Sequence, residues 1–351
     1  MIIFDIMKIL EKVYGLNGIA VLLIKSDSGR EYVVSIDGEY ADAWCSCPYF
    51  TFKKSACKHI MFALNNIDFE RLKNMRDKLE NLRTGCLTID ELMGGGFPYG
   101  IPTAITGLPS VGKTWLSVML AVANIKKTGM DSIYIDTEGN RRKDIMSIAY
   151  KLAKRYEVSD EDIKKHFIFI STMDDPVMES LEALCKLFGY NVQLELSEKA
   201  GKYSVRFFPM KDMPIRKQLE NATFLAIDSL TTPLKESIGH ETFNLPARSS
   251  IVNRIYGRLL KLSKVYNLCT VITHHVSIDP TNMRDLGRPY GGDAIIYHSK
   301  YILQILPPDK KAKEKFGDEA RRVQLVRRPD VKTDWAKYPV RLALDLGFVD
   351  E

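Results

Sequence analysis

No apolar run in this sequence approaches the roughly 18 residues that a membrane-spanning helix needs; the longest, such as Ile19 to Ile24, have the length of a strand. A strong surplus of one charge is also missing, because 50 basic residues stand against 44 acidic ones and the net charge is +6. Such a surplus permits nucleic-acid binding but does not demand it. The opening Met-Ile-Ile-Phe-Asp offers no cationic leader, so we expect a cytoplasmic protein that uses neither a secretory signal nor a membrane.

The chain is long enough, and contains enough hydrophobic residues, to form folded domains. The chain has 351 residues, of which 45% are hydrophobic and 27% charged, an ordinary globular composition that excludes wholesale disorder. This length predicts two or three domains.

Cysteine is scarce, and its distribution is uneven. Three isolated cysteines lie in apolar stretches and are expected to be small buried residues: Cys86, Cys185 and Cys269. The other three are close together with a histidine, as Cys45-Ser-Cys47 and Cys57-Lys-His59. These pairs supply three thiolates and one imidazole, which is a complete tetrahedral set for a structural zinc ion.

The flanks of the cysteine cluster carry a strand pattern at Tyr32–Ile36 and an apolar helix pattern from Ile60. This order resembles the SWIM zinc module, with its CxC…CxH pattern, over roughly residues 17–66. The resemblance implies binding of DNA or of protein and leaves that choice open. Lysines around the ligands can contact phosphates or can equally form a solvated face: Lys53, Lys54 and Lys58. Aromatic residues there can stack on bases or can equally form a small core: Tyr49, Phe50 and Phe52.

We expect three segments: a small α+β zinc-binding domain at 1–67, a linker helix at 68–83 and an ATPase core at 84–351. The linker is rich in charge, lacks Gly and Pro, and carries one apolar stripe. Within the core, the stretch around 188–217 reads as an inserted hairpin.

A glycine-rich loop fits GxxxxGK[ST] without deviation, follows the strand-like Pro102–Thr106 and precedes an apolar helix. Backbone amides of such a loop surround phosphates, the lysine reaches the β- and γ-phosphates, and the hydroxyl binds Mg²⁺. The predicted nucleotide-binding residues are Gly107, Leu108, Pro109, Ser110, Val111, Gly112, Lys113, Thr114 and Trp115.

Two further apolar strand patterns end in carboxylates. Thr223–Asp228 has the Walker B form, in which Asp228 organises Mg²⁺, and Ser132–Asp136 leads to Glu138, which can polarise the attacking water. For Asp136 an alternative stays open, in which the residue does no more than end the strand.

The order of these motifs resembles the RecA superfamily, in particular archaeal RadA and its paralogs, from Arg83 nearly to the C-terminus. The resemblance implies an α/β fold with a twisted, mostly parallel sheet, ATP with Mg²⁺ as cofactors, and catalytic roles for Lys113 and Glu138. His275 stands where the family has a different residue, but it can still donate a hydrogen bond and is a further catalytic candidate. It places DNA-facing loops at about 231–249 and 277–292. The candidate DNA-contacting residues are Lys235, Arg248, Arg254, Arg284 and Arg288.

Several features depart from RadA. A zinc module stands in place of the helix-hairpin-helix domain, and no Phe-x-x-Ala hook precedes Arg83. His274-His275 replace the Asn-Gln pair that senses the γ-phosphate. Arg327-Arg328-Pro329 replace Asp-Ser-Pro, so these arginines are either fingers that act on a neighbouring subunit or surface charges. Arg141 or Arg142 is the candidate for stacking on adenine.

We therefore predict an ATP- and Mg²⁺-dependent DNA-binding ATPase of recombination and repair, either a recombinase or a mediator, with single-stranded DNA as the expected form. A homo-oligomer, or a complex with a RadA-type recombinase, is the expected assembly. Two alternatives stay open: a KaiC-like switching ATPase, and an ATP-binding adaptor that acts through the zinc module.

Overall fold

The computed structural model describes residues 7–14, 19–37, 43–53, 55–69, 79–175, 177–197, 202–239, 244–277, 288–289, 293–331 and 336–351. The chain divides into two compact units. The N-terminal unit comprises Met1–Glu80 with Val265–Asn267, and the ATPase unit comprises Asn81–Lys264 with Leu268–Glu351.

The N-terminal unit contains a four-stranded antiparallel sheet in the order β1–β2–β3–β4. Alternate apolar residues of the second and third strands form its core, including Leu22, Ile24, Val34 and Ile36, as period-two patterning requires. The elements are β1 Lys8–Tyr14, β2 Ile19–Lys25, β3 Glu31–Asp37, β4 Ala43–Cys45, α1 Pro48–Lys53 and α2 Lys58–Leu64.

The predicted linker helix does not extend to Arg83. Residues 79–83 are not helical, because Leu82 pairs with Phe97 as an isolated antiparallel bridge and is almost completely buried. Most of the rest of the predicted helix, residues 70–78, lies outside the described residues.

The ATPase unit is built on one large sheet, and the prediction of a mostly parallel sheet is confirmed. Six parallel strands run in the order β13–β5–β11–β10–β6–β7, and β14, β15 and β16 extend the β13 edge with antiparallel pairs. The strands are β5 Pro102–Gly107, β6 Asp131–Asp136, β7 Phe167–Ser171, β8 Tyr190–Ser197, β9 Lys202–Pro209, β10 Ala222–Asp228, β11 Cys269–Ser277, β12 Arg288–Pro289, β13 Tyr301–Leu306, β14 Ala320–Arg327, β15 Tyr338–Ala343 and β16 Gly347–Val349.

Helices connect the parallel strands, as crossover connections require. The helices are α3 Leu87–Leu92, α4 Lys113–Thr128, α5 Arg142–Tyr156, α6 Asp160–His166, α7 Ser180–Leu187, α8 Arg216–Glu220, α9 Thr231–Ile238, α10 Leu245–Val265, α11 Asp293–His298 and α12 Lys310–Phe316, with a 3₁₀ turn at Gly317–Glu319. No helix among the described residues is long and apolar enough to cross a membrane.

The core of the ATPase unit surrounds α4 and the central strands. Every residue of β10 is buried, the pattern of a parallel strand that is covered on both faces. The three isolated cysteines are buried, as the sequence predicts. Inside this core, Asn124 exchanges hydrogen bonds of 3.0–3.1 Å with Tyr99, Ser132 and Thr223, so that the polar groups of a buried amide are satisfied.

Strands β8 and β9 form a separate two-stranded antiparallel sheet within the span 188–217. Tyr190, Val192 and Leu194 on β8 alternate with more exposed residues, and Phe207 and Val205 lie opposite Val192 and Leu194. The hairpin therefore has one apolar face.

Candidate functional site

The cysteine–histidine cluster forms where β4 ends and α2 begins. Cys45 closes β4, Cys57 precedes α2, and His59 lies in the first turn of that helix. All four predicted ligands are buried, and their ligand atoms lie within 4.8 Å of one another. Sγ of Cys45 and Sγ of Cys57 lie 3.7 and 3.8 Å from Nδ1 of His59.

These separations fit zinc. Tetrahedral bonds of about 2.3 Å to sulfur and about 2.1 Å to nitrogen set sulfur–nitrogen distances of roughly 3.6 Å. Hydrogen bonding between the two thiols lowers the pKa of Cys57 and raises that of Cys45, so one thiolate is favoured even before a metal binds. The ring of Tyr32 lies 4.4 Å from that of His59 and fixes its plane. Cys45, Cys47, Cys57 and His59 would hold the ion, which would supply cross-linking of the module and no catalysis.

The phosphate loop joins β5 to α4 and depends on two glycines. A Cβ on Gly107 would lie 2.5 Å from the Ile305 carbonyl oxygen, and one on Gly112, whose φ is +109°, would lie 2.7 Å from Leu342. Any larger residue would therefore force the loop away from the sheet. Pro109 and Ser110 form the exposed tip of the loop, whereas Leu108 and Trp115 are partly buried and Val111 is buried.

Lys113 is buried, and its ammonium group has three partners. Nζ donates to the carbonyl oxygens of Gly107 at 3.1 Å and Leu108 at 2.8 Å, and lies 3.4 Å from Nδ1 of His275. Burial lowers the pKa of Lys113, against the raising effect of Asp228 and Glu138. The lysine therefore lies beneath the loop, with every N–H group in use.

Asp228 ends β10 and is almost completely buried. One carboxylate oxygen, Oδ2, accepts hydrogen bonds from Thr114 at 2.6 Å and Tyr134 at 2.5 Å, and the other, Oδ1, accepts one from Thr273. The structure thus brings together Thr114 and Asp228, the two residues predicted to hold Mg²⁺. An oxygen pair of this kind suits that ion, which takes oxygen ligands and keeps several waters.

Tyr134 and Thr273 were not predicted as part of the site. Each carries a hydroxyl group on a strand that leads to a predicted site residue, Glu138 after β6 and His275 on β11, and that placement was the available signal. Their contacts join positions 94 and 45 residues from Asp228 along the chain, a separation that a local motif cannot reveal.

Glu138 and His275 form a direct pair beside the lysine. Nε2 of His275 donates to Oε1 of Glu138 at 2.7 Å, while Nδ1 accepts from Lys113, so the two partners select the Nε2–H tautomer. Thr232 also donates to Oε1 of Glu138 at 3.3 Å. Burial opposes ionisation of Glu138, but the hydrogen bonds from His275 and Ser229 and the charge of Lys113 outweigh it and lower its pKa to about 2.

His274 and Asp136, which shortly precede His275 and Glu138 in the sequence, have other hydrogen-bond partners. His274 is fully buried, lies with Nε2 2.6 Å from the Tyr256 hydroxyl, and has its pKa lowered by burial to about 3. Asp136 is buried with Asn140 as hydrogen-bond donor, and burial together with the charge of Asp228 raises its pKa to about 6. Neither contacts Lys113.

The three predicted DNA-contacting residues whose side chains the structure describes lie in different environments. Arg248, a predicted phosphate contact, is buried and donates to the Gly239 carbonyl oxygen at 2.7 Å. Lys235 is half-buried on α9, near enough to Lys113 to lower its pKa. Arg254 is exposed on α10. Arg284 lies outside the described residues, and only the backbone of Arg288 is described, in β12.

Arg327 and Arg328, the predicted candidates for intersubunit fingers, donate to carbonyl groups of their own chain. Arg327 donates to the carbonyl oxygens of Ile296 and Ser299. Arg328 donates to those of Glu91 and Leu92, at the C-terminal end of α3, and to Asp330 at 2.7 Å. Arg327 is exposed and these bonds use one of its guanidinium nitrogens, so both arginines stay candidates for the predicted role.

The adenine candidates lie just after the Glu138 turn. Arg141 is exposed and paired with Asp144 at 2.7 Å, and Arg142 begins α5, also exposed. Both stay candidates, since neither is fixed against the protein.

Known proteins resemble both units. Residues 32–68 match the SWIM zinc finger family, and residues 82–180 match the KaiC ATPase family. The chain combines a SWIM zinc finger with a RecA-type ATPase domain. It is homologous to proteins described as DNA repair and recombination protein RadB: 24% identical in Halobacterium salinarum over 66% of this chain and 83% of the relative, and 26% identical in Methanococcoides burtonii over 72% and 90%.

A RadA protein of Aeropyrum pernix is 25% identical over 61% of this chain and 60% of its own length. A crystal structure of the RadB recombinase superposes with a TM-score of 0.53 at 21% identity, covering 77% of this chain and 99% of that one. The predicted RecA-like fold and zinc module are confirmed.

Proposed function

We propose that this protein is an ATP- and Mg²⁺-dependent, DNA-binding ATPase of homologous recombination and repair. The observation that supports this proposal most strongly is the linked set of Lys113, His275 and Glu138 beside Thr114 and Asp228. At one edge of the sheet it combines a lysine that can bind phosphate, a carboxylate that can orient water and a pair of residues that can bind a metal ion. The relatives named for DNA repair and recombination support the choice of pathway.

Each side chain has a defined part in hydrolysis. Lys113 exchanges a loop carbonyl for a phosphate oxygen and neutralises its charge. Thr114 and Asp228 would hold Mg²⁺, which would supply further neutralisation when bound. A carboxylate whose pKa is about 2 is a weak base at neutral pH, so Glu138 orients the attacking water and does not remove its proton before attack.

His275 couples the two halves of the site. It accepts from Lys113 and donates to Glu138, so a movement of the strand tip alters both partners at once. In the sequence, the predicted second DNA-facing segment begins at Ser277, where β11 ends. DNA bound there would act on Glu138 through this histidine.

The missing hook and the zinc module favour an accessory role beside a RadA-type recombinase. The test is steady-state ATP hydrolysis with single-stranded DNA titrated at two salt concentrations, with Lys113→Ala as the inactive control. We expect stimulation that weakens as salt rises, because phosphate contacts release counterions. Hydrolysis that does not respond to DNA would contradict the proposal.

The match of residues 82–180 to the KaiC family favours a second candidate, a switching ATPase. That function requires DNA-independent hydrolysis and an oligomer whose size changes with the bound nucleotide. Size-exclusion chromatography with ATP and with ADP separates the two candidates.

A further inference from the structure

A basic groove lies where the root of the β8–β9 hairpin meets α10. Its volume is about 510 Å³, and it is lined by Tyr190, Ser250, Asn253, Arg254, Gly257, Arg258 and Lys261. Six of these residues recur at helical spacing on one face of α10, and the hairpin contributes the tyrosine. No motif in the sequence identified this groove as a whole.

The charges in the groove are fixed in position. The guanidinium groups of Arg254 and Arg258 lie 5.5 and 5.6 Å from the centre of the Tyr190 ring, and Arg254 also lies 5.2 Å from that of Phe207. Arg258 donates through Nε to the Phe188 carbonyl oxygen at 3.1 Å. The hairpin thus positions two planar cations before any ligand arrives, which lowers the entropic cost of binding.

This arrangement is unfavourable for the protein alone. Arg254 and Arg258 are like charges at i,i+4, a spacing that destabilises a helix, and Lys261 adds a third positive charge. The lining residues that the structure describes include no Asp or Glu. Lys261 has no ion pair with any described residue and is exposed. An anionic ligand would relieve this repulsion.

We propose that this groove binds the phosphodiester backbone of a DNA strand. From Arg254 to Lys261 the helix rises about 10 Å, which equals about three steps of 3.4 Å along the axis of a DNA duplex. Ser250 and Asn253 add the hydroxyl and amide groups that commonly contact phosphate.

The surroundings favour DNA over an acidic protein segment. Helix α10 begins within the predicted first DNA-facing segment and continues beyond it. Asn253 accepts a hydrogen bond of 2.8 Å from His298 of α11, the helix that follows the second. The groove therefore contacts helices that adjoin both predicted DNA-facing segments in the sequence. The proposal rests on the proposed function, because it assumes that the protein binds DNA.

Gly257 makes a sharp test possible. A Cβ built on this residue meets no atom within 4 Å, and its backbone has no positive φ. Gly257→Glu therefore places a carboxylate in the middle of the groove without a steric clash, and Gly257→Ala is the matched control, which is expected to stabilise the helix. Lys261→Gln removes one cation at an exposed position.

The experiment measures binding of a fluorescein-labelled oligothymidylate to the full-length protein by fluorescence anisotropy at several salt concentrations. We expect Gly257→Glu to weaken binding about tenfold and Lys261→Gln to lower the salt slope by about 0.7 to 1, while Gly257→Ala matches the wild type. ATP hydrolysis without DNA should be the same in all four proteins, because none of these residues lies at the ATPase site.

The outcomes separate the two proposals. If the wild type binds the oligonucleotide and both charge variants bind equally well with the same salt slope, the groove is not a DNA site and the proposed function stands. If the wild type binds no oligonucleotide, the proposed function loses its DNA partner. If poly-glutamate binds instead and Gly257→Glu abolishes that binding, the groove takes an acidic protein segment and the DNA proposal is overturned.

Discussion

The two units place their functional residues differently with respect to their hydrophobic cores. In the N-terminal unit, Cys45, Cys47 and Cys57 belong to the buried apolar cluster itself, beside Leu22 and Ile36. In the ATPase unit the core is formed by α4 and the strand interiors, while the functional carboxylates and His275 lie at the ends of strands.

This difference decides what each ligand does for folding. Removing zinc from the N-terminal unit would leave thiols in the middle of a small core, whereas the absence of nucleotide leaves the core of the ATPase unit complete. Small domains commonly need a metal or disulfides to be stable, but a domain of the size of the ATPase unit does not.

Loss of zinc should have the largest effect. Cys57→Ser, or extraction of the metal with a chelator, should unfold the N-terminal unit and leave nucleotide binding by the ATPase unit intact, because structural zinc contributes about 10 kcal/mol to such modules. The measurements are zinc content by mass spectrometry and the pattern of limited proteolysis. Cys185→Ala, at a buried cysteine outside the cluster, is the control. An unchanged zinc content and proteolysis pattern in Cys57→Ser would refute the metal site.

Glu138→Gln should lower the turnover number by about 100-fold or more and leave ATP affinity within a factor of about two, because the amide keeps the size but cannot orient water as a carboxylate does. Turnover and equilibrium nucleotide binding are measured on the same preparation. Glu314→Gln, at an exposed position of α12, should behave as wild type. Unaltered turnover in Glu138→Gln would remove this residue from the reaction.

Replacement of His275 should have an intermediate effect. His275→Ala removes the hydrogen-bond partner of both Lys113 and Glu138. It should lower turnover about tenfold, because a tenfold change in rate corresponds to about 1.4 kcal/mol, the net free energy of roughly one hydrogen bond. His275→Gln, which can still donate and accept, should restore most of the turnover and its response to DNA. If alanine and glutamine give the same kinetics, the residue does not couple the two groups.

The smallest effect is expected for the side-chain carboxylate of Asp350, which caps the N-terminal end of α3. Asp350 accepts from the amides of Leu87 at 2.6 Å and Thr88 at 2.9 Å. Partial burial favours its neutral form, but the hydrogen bonds from Thr88, Leu87 and Cys86 outweigh it and lower its pKa. Asp350→Ala should cost about 1 kcal/mol in urea unfolding of the ATPase unit at neutral pH.

The pH dependence of that cost has a defined sign. Because the pKa of Asp350 is lower in the folded state, its contribution is complete above its ordinary pKa of about 3.9 and disappears as the pH falls through the folded value. The difference between wild type and Asp350→Ala should therefore shrink in acid. Asp345→Ala, at an exposed turn, should show no such difference at any pH.

Residues that are adjacent in sequence could be predicted well. The zinc ligands and the phosphate loop have fixed short spacings, so local pattern carried both. Tyr134 and Thr273 were missed because they reach Asp228 only after three parallel strands align.

The arginines could not be predicted for a related reason. Whether Arg248 or Arg328 is exposed depends on which carbonyl groups lie near it in the folded chain, and those of Gly239 and Glu91 are determined by tertiary structure. The helix predicted to reach Arg83 fails at its end because the pairing of Leu82 with Phe97 overrides local propensity.

Two adjacent histidines on β11 show how strongly the pleat of a strand governs chemistry. His274 and His275 are the same residue type one position apart, yet one is sealed in the interior with its pKa lowered to about 3 and the other lies between Lys113 and Glu138. A single-residue deletion earlier in that strand would exchange their faces. The composition of the protein would barely change, but the histidine that now lies between Lys113 and Glu138 would no longer face them.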